Sequence, residues 1–315
     1  MKDDAVSIQE DDLKEVINGL SQPQKQLPSK LFYDERGSRL FDQICELDEY
    51  YPTRTESKIL IDNRDDILSY FDENALLIEL GSGSSTKTRL LLDSLNSLSA
   101  YIPIDISEEF LYKTAERLRL RYPDLRIIPY STDYTHPFNL PELDFSFSKK
   151  IVFYPGSTIG NFTPGKARHF LTLVSDIIGE NGGLLIGVDL KKDPKILEAA
   201  YNDAEGITGE FNINILRRLN EEFDATFDLD QFEHQAVFNE KEGRIEMHLI
   251  SKKNQTVSVR NNTFFFSKGE SIHTENSYKY TLKEFRELVE GLFEVEKVWT
   301  DENQLFSLQY LKSMA

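Results

Sequence analysis

Residues 75–92, ALLIELGSGSSTKTRLLL, constrain this chain more than any other stretch. Ala75-Leu76-Leu77-Ile78 is a short apolar run of the kind a parallel strand buried on both faces needs, and Glu79 closes it. Gly81 and Gly83 permit a tight turn and let a ligand reach the backbone with no Cβ in the way. Ser85 or Thr86 is placed to cap a helix carrying Leu90, Leu91 and Leu92. The stretch therefore reads as strand, glycine turn, helix, which is the generic cradle for a nucleotide.

The chain around it narrows the ligand. Thr86 stands where a dinucleotide fingerprint would have its third glycine, and the turn lacks the GK[ST] ending of a P-loop. A second apolar strand, Tyr101-Ile102-Pro103-Ile104, ends in Asp105, where a doubly wound fold reads a ribose diol. A third strand, Arg126–Pro129, is followed by Asp133, placed to face an adenine amino group. Acids at the strand ends beside a glycine turn without a phosphate signature suit S-adenosylmethionine (SAM) better than NAD.

Strands are expected at 75–80, 101–105, 126–129, 151–155 and 184–189, with helices near 86–97, 108–121 and 164–179. That alternation predicts an α/β fold with a parallel, doubly wound sheet whose ligands bind beyond the carboxyl ends of the strands. Gly156, Gly160 and Asn161 follow the fourth strand and fall at that rim; the Asn161 amide serves either as a turn former or as a donor to a substrate carboxylate. Upstream, Leu13, Val16, Ile17 and Leu20 mark an amphipathic helix. Leu40, Phe41, Ile44 and Leu47 mark another that Pro52 should stop, with Thr55 capping the next. After Asp189 the alternation ceases. Residues 191–280 read as helix followed by antiparallel strands, an insertion forming a lid or second domain. A terminal helix and a hairpin around Asp301-Glu302-Asn303 complete the sheet. The expected division is 57–190 with 281–315 as one domain, and 1–56 with 191–280 as the other.

Composition excludes several functions. The formal net charge of −18 over 315 residues opposes binding to nucleic acid or anionic membranes. A single cysteine, Cys45, permits neither an intrachain disulfide nor a zinc–thiolate cluster. No apolar run approaches the roughly 20 residues of a membrane span, and the acidic N-terminus has no signal-peptide core; a cytoplasmic location is expected. The histidines at 136, 169, 234, 248 and 273 form no HExxH or i,i+4 pair, so no metal is expected. No GxSxG elbow offers a nucleophile.

Longer segments add a resemblance. LFYDERGSRLFDQICELDEYYPTRTE, IELGSGSSTKTRLLL, YIPIDIS, GSTIGNFTP, AAYNDAEGITGEFNINILRRLN and IHTENSYKY together resemble the histidine N-alpha-methyltransferases of ergothioneine biosynthesis, from about Leu27 to the C-terminus. The resemblance implies a Rossmann-like class I SAM-dependent methyltransferase domain. It also implies a histidine-binding domain built from the N-terminal segment and the central insertion. By that likeness Gly81, Lys87, Asp105, Asp133 and Tyr134 bind SAM, Asn161 and Tyr201 hold the α-carboxylate of L-histidine, and Glu275 and Ser277 hydrogen-bond the imidazole. Tyr51 with Tyr33 and the Gly156 backbone would frame the reacting amine, and Met247 would line the imidazole pocket. Asn276 departs from the small or apolar residue the likeness implies. The implied reaction is stepwise methylation of the α-amine to trimethylhistidine (hercynine) by a monomer without a metal. Another amine, such as a tryptophan derivative, is the alternative substrate.

Overall fold

The computed structural model describes residues 2–83, 85–95 and 97–314. The chain opens with helix α1 (Lys2–Leu20), a two-residue strand β1 (Lys25–Gln26) and helix α2 (Glu35–Ile44). Asp34 caps α2 by accepting from the Gly37 amide. Helix α3 (Tyr51–Asp62) follows, then α4 (Arg64–Leu68) and strand β2 (Leu76–Leu80). Pro52 does not stop a helix, as the sequence suggested, but sits in the first turn of α3, where its missing N–H costs nothing; Thr55 is therefore interior and caps nothing.

Next come α5 (Thr86–Leu92), β3 (Ala100–Asp105), α6 (Glu108–Arg121), β4 (Tyr130–Ser131), β5 (Lys150–Tyr154), α7 (Pro164–Ile178) and β6 (Gly183–Asp189). Two expectations fail here. The strand expected at 126–129 is reduced to one bridge, Tyr101 with Ile127, and regular pairing begins only after Pro129, which lacks an amide to give the ladder. Ser85 occupies the N-cap position of α5 but in a left-handed conformation (φ 53°), with no side-chain cap bond. Its hydroxyl lies 3.2 Å from that of Tyr101 instead.

The remaining chain holds α8 (Pro194–Ala199), α9 (Ile207–Glu222), strands β7 (Phe232–Asn239), β8 (Arg244–Ser251), β9 (Gln255–Val259), β10 (Asn262–Phe266) and β11 (Ser271–Tyr278), then α10 (Leu282–Val289), β12 (Phe293–Thr300) and β13 (Phe306–Ser313). Two compact units result. Residues 1–50 and 193–277 make one; residues 51–192 and 278–315 make the other. Relative to the division expected from sequence, residues 51–56 fall with the second unit because α3 is one continuous helix.

The second unit is built on a seven-stranded sheet of order β12-β13-β6-β5-β2-β3-β4. Strands β2 to β6 run parallel, and β13 enters antiparallel to β6. The inner strands are apolar on both faces because helices cover both. Leu76, Ile78, Ile102, Val152 and Ile186 join one core cluster, while Leu77, Tyr101, Phe153, Leu185 and Phe306 join the other. The first unit carries a four-stranded sheet of order β1-β11-β8-β7 and the β9–β10 hairpin. Buried and half-buried residues alternate strictly along β8, as an amphipathic strand requires.

A carboxyl side chain lies inside the parallel core. Glu79 is 2 % exposed and accepts from the Thr88 hydroxyl at 2.5 Å and from the Tyr101 hydroxyl. Burial pushes its pKa from 4.5 to about 8, against the pull of those two bonds. Between those values the fold holds a proton that the unfolded chain releases, so this residue's contribution to stability falls as pH rises through that window. Glu79→Gln, which is neutral throughout, should gain stability relative to wild type between pH 5 and pH 8. Urea unfolding of both proteins at the two pH values checks this, and a pH-independent difference contradicts it.

Candidate active site

The glycine turn after β2 folds as a cradle. Gly81 (φ 73°) and Gly83 (φ 47°) both take left-handed conformations that side-chain-bearing residues rarely adopt. A Cβ at Gly81 would stand 3.0 Å from the Tyr134 hydroxyl. The Gly83 amide donates to Asp105 Oδ2 at 3.0 Å, and the Ser107 amide donates to Oδ1 at 2.9 Å. Burial raises the Asp105 pKa, and these backbone donors oppose the rise. Gly81, Asp105 and Tyr134 therefore converge, as expected. Ser82, between the two glycines, is 4 % exposed, and its hydroxyl has no partner among the described residues. An orphaned hydroxyl, a half-buried carboxylate and a backbone open to close approach together fit the polar end and ribose of SAM. Asp133 turns onto its own loop, accepting from the amide and hydroxyl of Thr135 at 2.9 and 2.6 Å.

Lys87 points to a residue the sequence reading passed over. Its ammonium lies 2.5 Å from Glu56, which is fully buried on α3. The same carboxylate accepts from the Gly156 amide at 2.8 and 3.1 Å. Glu56 fits because Gly187 leaves room on β6; a Cβ there would stand 2.0 Å from Glu56 Oε1. Lys87 and Gly156 are thus joined through Glu56. In the sequence Glu56 looks like any solvated helix acid, and only its place inside the TRTE segment marked it.

A second carboxylate organises the end of β6. Asp189 is fully buried and accepts from the Tyr51 hydroxyl at 2.7 and 2.8 Å, from Lys192 at 2.5 Å and from Lys279 at 2.8 Å. Its amide donates to Ser157 Oγ at 2.9 Å. Burial alone would raise its pKa, but Lys279 and Lys192 outweigh that and hold it below the carboxylate range. Lys192 is pushed down to about 8, chiefly by burial. Tyr51 also receives a hydrogen bond from Lys192 at 2.6 Å, and that ammonium lies 4.5 Å from the centre of its ring. Asn161 closes the short turn Thr158–Asn161 that follows β5.

In the other unit, the Tyr201 hydroxyl donates to Ser277 Oγ at 2.8 Å, and both residues are buried. Tyr50 meets the Tyr201 ring edge-on at 6.0 Å. Burial drives the Tyr50 hydroxyl well above its usual pKa, and Tyr201, Cys45, Tyr33 and Glu275 push the same way. Tyr50 and Glu275 thus feel one another, and Tyr50 was not among the residues the sequence singled out for the site. Tyr33 packs edge-on against Phe41 at 5.9 Å and Phe211 at 5.8 Å. Met247 is 1 % exposed, and its carbonyl accepts from Thr274 Oγ1 at 3.1 Å. Asn276 Oδ1 is buried without a partner among the described residues. Asn212 ties the region together, reaching His234 Nδ1 at 2.8 Å, the His248 carbonyl at 3.0 Å and Thr274 at 2.7 Å. The histidines are not all scattered, as the sequence spacing suggested: the rings of His248 and His273 stack with centroids 4.8 Å apart.

Comparison with known proteins gives this geometry its family. The chain is 40 % identical over 301 residues to the histidine N-alpha-methyltransferase of Mycobacterium tuberculosis, covering 94 % of this chain and 92 % of that protein. It is 33 % identical to ergothioneine biosynthesis protein 1 of Neurospora crassa, covering 93 % of this chain but 34 % of that longer protein. Among solved structures, a methyltransferase described as putative from Thermobifida fusca covers 94 % of this chain and 98 % of its own at TM-score 0.50, with 12 % identity. That likeness carries the class I methyltransferase fold. The profile of the SAM-dependent, histidine-specific methyltransferases matches residues 12–313. With the cradle at Gly81–Gly83 and the acid at Asp105, the chain belongs to that family and is a SAM-dependent histidine N-alpha-methyltransferase.

Proposed function

We propose that the chain methylates the α-amine of L-histidine three times, giving trimethylhistidine, the opening step of a route to ergothioneine. The observation that carries this reading is the buried Tyr201–Ser277 hydroxyl pair on the strand that bears Glu275. The Tyr201 hydroxyl donates to Ser277 Oγ and so fixes the position of that hydroxyl, which would turn its own proton toward a bound ligand. Glu275, two residues earlier, accepts. One donor and one acceptor match the two nitrogens of a neutral imidazole. An indole has an N–H but no acceptor nitrogen, so it offers a serine hydroxyl nothing to donate to.

SAM supplies a methyl group already activated by its sulfonium charge. Gly81, Ser82, Asp105 and Tyr134 would hold it, with Lys87 and Asp133 as the further expected contacts. Asn161 would donate its amide to the substrate carboxylate. Tyr201 can join it only by turning from Ser277, so we assign Tyr201 first to orienting that serine. Tyr51, fixed by Asp189 and Lys192, and Tyr33 would frame the amine together with the Gly156 backbone. The chain's own task is alignment and exclusion of water, and orientation of this kind is worth several kcal/mol. The amine must be neutral to react. The raised pKa of Tyr50 keeps that hydroxyl protonated, a donor rather than a base. We also take the enzyme to act as a cytoplasmic monomer. In support, no helix among the described residues is long and apolar enough to cross a membrane, and its acidity opposes nucleic acid.

Three outcomes follow. Turnover with histidine and with tryptophan, measured side by side, should favour histidine by roughly 100-fold or more in kcat/KM, the scale at which an unmet buried donor discriminates; equal turnover would favour the alternative amine. Glu275→Ala should weaken histidine binding by about 2–3 kcal/mol while SAM affinity changes little. Calorimetry with each ligand checks this, and equal losses contradict it. Tyr51→Phe strips Asp189 of one donor while leaving two lysines. It should lower kcat/KM for histidine by roughly 10-fold, a single lost hydrogen bond, with SAM binding retained; an unchanged kcat/KM would remove Tyr51 from the amine site.

A further inference from the structure

Three side chains with no part in methyl transfer converge on the four-stranded sheet of the first unit. Glu246 and His248 lie two residues apart on β8 and so share a face, alternating with the buried Met247 and Leu249. His273 comes from β11, the neighbouring strand. One ligand atom from each lies within 4.8 Å of the other two. Glu246 Oε2 and His248 Nε2 are 3.3 Å apart. That is long for a charge-assisted hydrogen bond. It equals the separation, about 3.4 Å, that two ligands each about 2.05 Å from a tetrahedral zinc ion adopt.

The surroundings orient Glu246 and His273 as an outer shell would. Arg244 Nη2 and Nε lie 2.6 and 2.8 Å from Glu246 Oε1, and Asn239 Nδ2 donates to the same oxygen at 3.0 Å. Oε2 is thereby left to face His248. The Glu275 carbonyl accepts from His273 Nε2 at 2.9 Å, which leaves the lone pair on Nδ1. His248 Nδ1 is buried with no hydrogen-bond partner among the described residues. The side chains of Glu246 and His248 keep 13 % and 14 % of their exposure, enough for an ion to enter.

We propose that Glu246, His248 and His273 bind one divalent transition-metal ion, with zinc preferred and water completing a tetrahedron. Two imidazoles and a carboxylate suit a borderline ion better than calcium or magnesium. Arg244 places a positive charge behind the carboxylate, which weakens metal binding relative to a closed structural site. The ion would staple β8 to β11 just upstream of Glu275 and Ser277. It takes no part in the methyl transfer, so failure of this site would leave the histidine assignment standing.

The test uses the untagged full chain, freed of metal by chelator and kept in buffer without histidine, which itself chelates zinc. Titration calorimetry with zinc chloride should show one equivalent bound per chain. Cobalt(II) should give the visible absorption of a four-coordinate ion, and zinc should raise the unfolding temperature. His248→Ala and His273→Ala should each weaken binding by more than about 10-fold and remove the cobalt band. Glu246→Gln, close in shape to wild type, carries the same expectation should either histidine variant fail to fold. Absence of stoichiometric binding by the wild type, or binding that survives all three substitutions unchanged, overturns the site.

Discussion

Carboxylates buried at the carboxyl ends of the parallel strands are the constraint around which the larger unit is arranged. Glu79 is buried one residue before the end of β2, Asp105 is half-buried at the end of β3, Asp189 is buried at the end of β6, and the buried Glu56 reaches the same sheet from α3. A buried acid is costly unless it is neutralised or surrounded by donors, and each of the four solves this differently. Glu79 is held protonated by burial. Asp105 takes two backbone amides from the loops beside it. Glu56 takes one lysine and one amide. Asp189 takes two lysines and a tyrosine. The partners come from segments far apart in sequence, so these acids fix which loops meet at the rim.

That arrangement explains why the site residues keep their places before any ligand arrives. Gly83 is tied to Asp105, Gly156 to Glu56 and Lys87, and Tyr51 to Asp189 and Lys192. Preorganisation of this sort lowers what binding must spend on ordering side chains. In the smaller unit Asn212 plays the corresponding part, joining α9 to His234 on β7, to the β8 backbone at His248 and to Thr274 on β11. Ser277 and Glu275 sit on the last of those strands.

The glycine turn and the doubly wound sheet were legible because they rest on local rules: an apolar strand, glycine at positive φ, an acid one strand later. Asp105, which we propose reads the ribose, could be placed from spacing alone. Pro52 was misread because proline stops a helix in its interior yet opens one in its first turn, and the difference depends on where α3 begins. The strand at 126–129 was misread because an apolar run signals burial, not pairing, and Pro129 cannot enter the ladder. Glu56 and the His248–His273 pair were illegible for a deeper reason. Their partners lie 31 to 100 residues away for Glu56 and across neighbouring strands for the histidines, so no window along the chain contains both members. The tyrosine pair was half read: Tyr51 goes with Asp189, and Tyr50 goes with Tyr201, because the chain passes from one unit to the other between them.

The proposed function requires Asp105 to read the ribose and Glu275 with Ser277 to read the imidazole. A crystal structure of the chain with S-adenosylhomocysteine and L-histidine tests both at once. It should show the ribose hydroxyls on the Asp105 carboxylate, with one imidazole nitrogen on Glu275 and the other on Ser277. An imidazole ring bound away from those two side chains, with the Tyr201–Ser277 bond undisturbed, would contradict it.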